Sequence, residues 1–160
     1  MAVQVLFQGE FLKRLFNLKQ GIAKIAPGIA TKAANVLQDE VIDQIRQAGA
    51  VASGDLLKSI TSSVLFSSTE FLVEIGSNNI AAQFIERGRR PGGFPPIQRI
   101  YKWMVDKGLD ATLHGAYSIA SKIEREGYSA RMPFEKAIEA ALPKIEKSMG
   151  KIIESELSIT

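Results

Sequence analysis

The sequence predicts an α+β fold, with a small antiparallel or mixed sheet of about three to four strands packed on a long helix and a helical C-terminal half. Three observations predict it. Short stretches of alternating or β-branched residues occur at the start (Val3, Val5, Phe7) and as two runs, Ser59 to Ser67 and Phe71 to Ile75. Apolar residues recur at three and four over long segments elsewhere. No strand alternates with a crossover helix, as a parallel sheet would need.

The opening strand is the least obvious element. Leu6-Phe7-Gln8-Gly9 also spells the cut site that cloning vectors place between a tag and a protein. Against a vector origin, Glu10 stands where such a linker usually carries proline, and the alternation with Gln4 and Gln8 is that of a strand. A short helix is expected from Glu10 to Leu18, punctuated by Gly21, Pro27 and Gly28. A longer one is expected from Ile29 to Ala48, with Ala30, Ala33, Ala34, Leu37, Val41 and Ile45 on one stripe.

After a loop at "AGAVASGD", the polar "SSTE" between two β-rich runs predicts a hairpin. Helix spacing returns from Ile80 to Arg87 and stops at "RGRRPGGFPP". Ile97 to Lys107 places Ile97, Ile100, Tyr101, Met104 and Val105 on one stripe and Trp103 on the other side. Further helices are expected from Leu113 to Glu126 and from Pro133 to Leu157. Pro133 suits a first helical position, and Pro143 should kink or break the last helix. The chain reads as one domain over residues 1–160, with a core of 1–88 and 112–157 and a basic loop and helix inserted around 88–110.

With 160 residues the chain can bury a core without staples. The absence of cysteine excludes thiol chemistry, disulfides and cysteine metal sites, and the single histidine, His114, leaves almost no material for a zinc centre or a histidine triad. No cofactor is expected. No apolar run approaches the roughly 18 residues of a membrane span, no signal peptide is evident, and a cytosolic setting is expected. The acids Asp39, Glu40, Asp43, Glu124 and Glu126 read as solvated helix faces, and "RGRRPGG" lacks the ending of a phosphate-binding loop. No catalytic constellation is found, so an enzyme is not expected.

The net charge of +3 is unevenly spread. Residues 87–102 hold Arg87, Arg89, Arg90, Arg99 and Lys102 with no acid, and a mobile, positive loop is expected there. Its arginines suit phosphates or an acidic protein surface. Phe94, between Gly93 and Pro95, has poor access to its own core and favours an interface.

Four fragments in order along the chain carry a resemblance. "VQVLFQGEFLKRL" is similar to a first strand, glycine and leading helix; "SGDLLKSI" resembles a Thr/Ser-Gly-x-Leu-x-x-Ser-Ile segment; "AAQFIERG" is similar to a Tyr-Ala-x-Phe-Val-Glu-x-Gly element; "ARMPFEKA" resembles an Arg-Pro-Phe lead into a C-terminal helix. Together they resemble the tail-completion or minor-tail components at the head-tail neck of long-tailed bacteriophages. Ala81 replaces the usual aromatic, Arg89 stands where Thr is common, and Met132 separates Arg131 from Pro133.

The resemblance implies that "VLFQG" is native and forms the first strand. It also implies a structural virion protein: a neck ring subunit, hexameric by preference, that helps join the tail to the DNA-filled head. Its partners would be copies of itself, tail terminator or tail tube and head-tail connector proteins, and DNA in the ring lumen, with no membrane. It would work at the neck or top of the tail in the virion, after assembly in the host cytoplasm. Arg87, Arg89, Arg90 and Phe94, with Arg99 and Trp103, are the expected contact residues. Glu86 is expected to anchor the basic loop by pairing with Arg87 or Arg131. The rival reading is a nucleic-acid-binding module using the Arg87 to Lys102 segment, with Trp103 stacking on a base.

Overall fold

The computed structural model describes residues 1–7, 22–66 and 71–157. The expected helix from Glu10 to Leu18 lies outside them. In chain order the described elements are β1 (Ala2–Phe7), α1 (Ile22–Gln47), α2 (Asp55–Lys58), β2 (Ile60–Phe66), β3 (Phe71–Ser77), α3 (Ile80–Arg87), α4 (Ile97–Asp106), α5 (Leu113–Glu126) and α6 (Pro133–Leu157). The fold is α+β, as the residue pattern predicts.

The three strands form one antiparallel sheet in the order β1-β3-β2. Alternation on β3 sends Phe71, Val73 and Ile75 into the core, each at most 1% exposed. Against that face lies α1, burying Ala30, Ala33, Ala34, Leu37, Val41 and Ile45. The long α6 packs on α1 through Phe134, Ala137, Ala141, Ile145 and Met149. Alanines on both stripes keep the side chains between the two helices small.

Both long helices run through a proline. α1 starts seven residues before the expected Ile29 and passes Pro27, while α6 continues past Pro143 rather than breaking. Pro27, Gly28 and Pro143 all lie on the exposed side. Each proline costs a backbone donor on the water side, and the buried stripe on the opposite side runs on without interruption. Thr31 Oγ1 also donates to the Pro27 carbonyl at 2.8 Å.

One of the acids expected on a solvated face is not there. Glu40 is buried between α1 and α6, where Lys144 donates to one carboxylate oxygen and Gln44 Nε2 donates to the other at 3.3 Å. The hydrogen bond from Lys144 holds the Glu40 carboxyl below its usual range, against the opposing effect of burial.

Candidate functional site

The basic segment belongs to a helical hairpin set outside the main core. α5 packs against α4, and their buried residues, Met104, Ala116 and Ala120, stand apart from the cluster that joins the sheet to α1 and α6. α4 buries Met104 and leaves Tyr101 and Val105 exposed. Two of the five residues of the expected apolar stripe therefore face water.

Backbone pairing attaches this hairpin to the core. Arg89 and Tyr128 form an isolated antiparallel bridge, exchanging two N–H to carbonyl bonds of 2.9 Å each. Gly92 N–H donates to the Glu124 carbonyl at 2.7 Å and Arg131 N–H to the Ile85 carbonyl at 2.9 Å. Two glycines make the approach possible: a Cβ on Gly127 would lie 2.1 Å from the Arg89 carbonyl oxygen, and one on Gly88 would lie 2.5 Å from that of Tyr128. Their φ angles, 64° and 69°, are also ones that side chains disfavour.

Two cations, Lys107 and Arg131, reach the C-terminal end of α1. Lys107 Nζ donates to the Gly49 carbonyl at 2.7 Å, and Arg131 Nη1 donates to the Ala48 carbonyl. Carbonyls at a helix C-terminus lack intrahelical partners and carry partial negative charge, so positive groups stabilise that end.

The structure sorts the expected contact residues into two groups. Arg89 is turned inward: its Nη2 donates to the Gly93 carbonyl at 2.8 Å, and its guanidinium lies 5.8 Å from the Phe84 ring centroid. It clasps the loop that the sequence predicts to be mobile. Arg87, Arg90 and Arg99 are exposed, and their side chains make no hydrogen bond or ion pair among the described residues. Lys102 is exposed and paired with Asp106 at 2.8 Å, which raises its pKa and offsets one charge of the patch.

Phe94 and Trp103 are exposed at 39% and 40%, so both can meet a partner. Phe94 also leans on Tyr117 of α5, with ring centroids 5.7 Å apart. Tyr117 and Tyr128, 54% and 40% exposed, extend the aromatic surface. Burial raises the Tyr128 phenol, against the field of Arg89 and Arg131. Sequence could have hinted at Tyr117, since Leu113 and Tyr117 are four apart on an otherwise polar face of α5.

Glu86 has a different partner from the one expected. It pairs with neither Arg87 nor Arg131; its carboxylate accepts from the N–H groups of Phe134 at 2.9 Å and Glu135 at 3.2 Å. These are free donors of the first turn of α6, so Glu86 caps that helix from 48 residues away.

Among the described residues, no group of three or more His, Cys, Asp or Glu could hold a metal, and no helix is long and apolar enough to cross a membrane. A shallow cleft between α1 and α6, lined by Ile29, Ala33, Val36, Ile145 and Met149 with Lys32 and Ser148, holds no acid-base pair.

A family model with the description "Bacteriophage HK97-gp10, putative tail-component" matches residues 9–88, half of the chain. The chain belongs to the HK97-gp10-like family. The matched part contains α1, α2, β2, β3 and α3 and ends at Gly88, where the chain leaves the core for the hairpin. Membership in the HK97-gp10-like family makes the chain a structural component of a phage tail, and so of the virion, working against other virion proteins. No curated protein and no solved structure gives a significant match.

Proposed function

We propose that this chain is a tail-completion subunit at the phage neck. It forms a homo-oligomeric ring, a hexamer by preference, that finishes the top of the tail so that the DNA-filled head can join. Its work is assembly rather than catalysis. The hairpin α4–α5 supplies the contact surface toward a neighbouring subunit or a neck partner, through Phe94, Trp103, Arg87, Arg90 and Arg99.

One observation carries this reading. Of the thirteen exposed large hydrophobic residues among those described, nine lie between Phe94 and Met132. Apolar surface concentrated on one appendage, beside unpaired arginines, is the composition of an interface. The family-matched segment supports the tail setting, and the hairpin begins where that segment ends.

A stop codon at Gln38 in the parent phage tests the role. Negative-stain images of the non-permissive lysate should show filled heads beside separate tails. Joined, normal particles would remove the neck assignment.

The unpaired Arg87, Arg90 and Arg99 with exposed Trp103 also suit nucleic acid. Each phosphate neutralised would contribute about 0.7 to 0.9 to the slope of log affinity against log salt. Binding to single or double strands with a slope near −3 favours that reading, and no binding at moderate salt favours assembly.

A further inference from the structure

The sheet distributes charge in the reverse of the way that water-facing sheet edges are protected. β1 reads AVQVLF and β2 reads ITSSVLF, with no charged residue, proline or glycine in either. The only ionisable side chain of the sheet, Glu74, is on β3, the middle strand. Monomeric proteins put lysine, proline or a bulge on edge strands because an open row of N–H and C=O groups templates pairing with another chain. Here both edges lack these devices, and among the described residues no strand pairs with either outer edge.

The start of β2 is tied to α1, and Gln38 occupies one of its backbone acceptors. Gln38 Nε2 donates to the Ile60 carbonyl at 3.1 Å while its Oε1 accepts from the Ser62 hydroxyl at 2.8 Å, fixing the first half of the strand against α1. The second half ends in Leu65 and Phe66, 56% and 52% exposed.

We propose that β2 of one copy pairs with β1 of a second copy, joining the three-stranded sheets edge to edge. This rests on the reading of the chain as a ring subunit and supplies its subunit contact. A second copy fits because each chain carries both edges, of seven and six residues, and neither presents a charge that the other would leave unpaired. Both edge strands run antiparallel to β3, hence parallel to each other. A rotation that repeats the sheet around a closed ring therefore makes them parallel neighbours in a heterologous contact. That contact covers Leu65 and Phe66.

The chain has no cysteine, so introduced thiols report without background. Gln4→Cys and Ser63→Cys both replace exposed residues that lie opposite Glu74 on the outer sheet face. A short bis-maleimide is applied to the purified double variant at high concentration and to purified tails. The expected result is a ladder of covalent multiples from the double variant and at least tenfold less from either single variant. Adding Thr61→Lys and Leu65→Lys should abolish the ladder with the circular dichroism unchanged.

Dimers from Ser63→Cys alone would mean a two-fold β2 to β2 contact and would overturn the proposal, as would a ladder that survives the lysines. Monomers only, in solution and in tails, would overturn it as well. Tails that contain the protein only as monomers leave the tail role standing and sink the edge pairing. A ladder in solution with the protein absent from tails does the reverse.

Discussion

Glu86 on α3 caps α6 across 48 residues of chain, its carboxylate accepting the Phe134 N–H at 2.9 Å. Met132, just before the helix, offers no side-chain acceptor and sits at φ 50°, and Pro133 has no N–H to satisfy. The second carboxylate oxygen takes the Glu135 N–H at 3.2 Å. Replacing Glu86 by Ala should lower stability by about 1 to 2 kcal/mol, the usual cost of a lost cap. Arg87→Ala, which removes an exposed and unpaired side chain, should stay within about 0.5 kcal/mol of the parent in the same urea titration. Equal losses from the two variants would contradict the capping role.

Glu40 and Lys144 make stability depend on acid. The folded-state pKa of Glu40 is lowered from its ordinary 4.5, so its contribution is complete above that value and is lost as pH falls through the depressed one. Lys144→Met leaves buried Glu40 with Gln44 alone and should cost about 1 to 2 kcal/mol at neutral pH, moderated by the partial exposure of Lys144. Its urea midpoints should also fall less steeply than those of the parent between neutral pH and pH 3. Parallel acid limbs in the two proteins would show that the pair does not titrate as described.

Gly127 sits where a backbone must pass close to Arg89. Gly127→Ala combines a disfavoured φ with a contact that cannot relax without moving the bridge, and should cost about 3 kcal/mol. Hydrogen exchange should locate the loss at the N–H groups of Arg89 and Tyr128. An alanine variant of parental stability would mean that the two segments can separate at little cost.

The loop arginines should divide by environment. Arg89→Glu removes the bond to the Gly93 carbonyl and places an acid against Phe84, so it should lower the melting temperature. Arg90→Glu and Arg99→Glu, both exposed, should leave melting unchanged while reducing particle assembly in complementation assays. Assembly unaffected by both would remove these arginines from the contact surface.

Deleting residues 1–9 removes β1, six residues paired along one edge of β3. The melting temperature should fall by on the order of 10 °C, equivalent to about 3 kcal/mol at 2–4 °C per kcal/mol for a chain of this size. An unchanged value would make the strand dispensable.

Much of the architecture is legible in the residue pattern. The helices at Ile80–Arg87, Leu113–Glu126 and Pro133–Leu157 match their expected bounds. In the structure Asn79 and Thr112 cap two of them through their own side chains. The start of α1 was not legible, because local rules assign Pro27 and Gly28 to a break, whereas burial of Ala26, Ile29 and Ala30 on one face holds the helix together. The candidate surface is legible in part. Arg90, Arg99, Phe94 and Trp103 are exposed, but Arg89 is spent on the loop, and the aromatic surface continues onto Tyr117 and Tyr128.

By itself the sequence determined the fold class, the element types, the buried stripe of α1, and the family. Each of these follows from side-chain periodicity or from short-range backbone chemistry, which act over a few residues. Only the tertiary structure decided which charges are working inside the molecule: Glu40 with Lys144, Glu86 on the end of α6, Arg131 and Lys107 on the end of α1, and Arg89 within its loop. A charged side chain looks alike in sequence whether it faces water or an unsatisfied backbone group. Contacts between residues 48 to 104 positions apart depend on how whole elements dock, which no local pattern encodes.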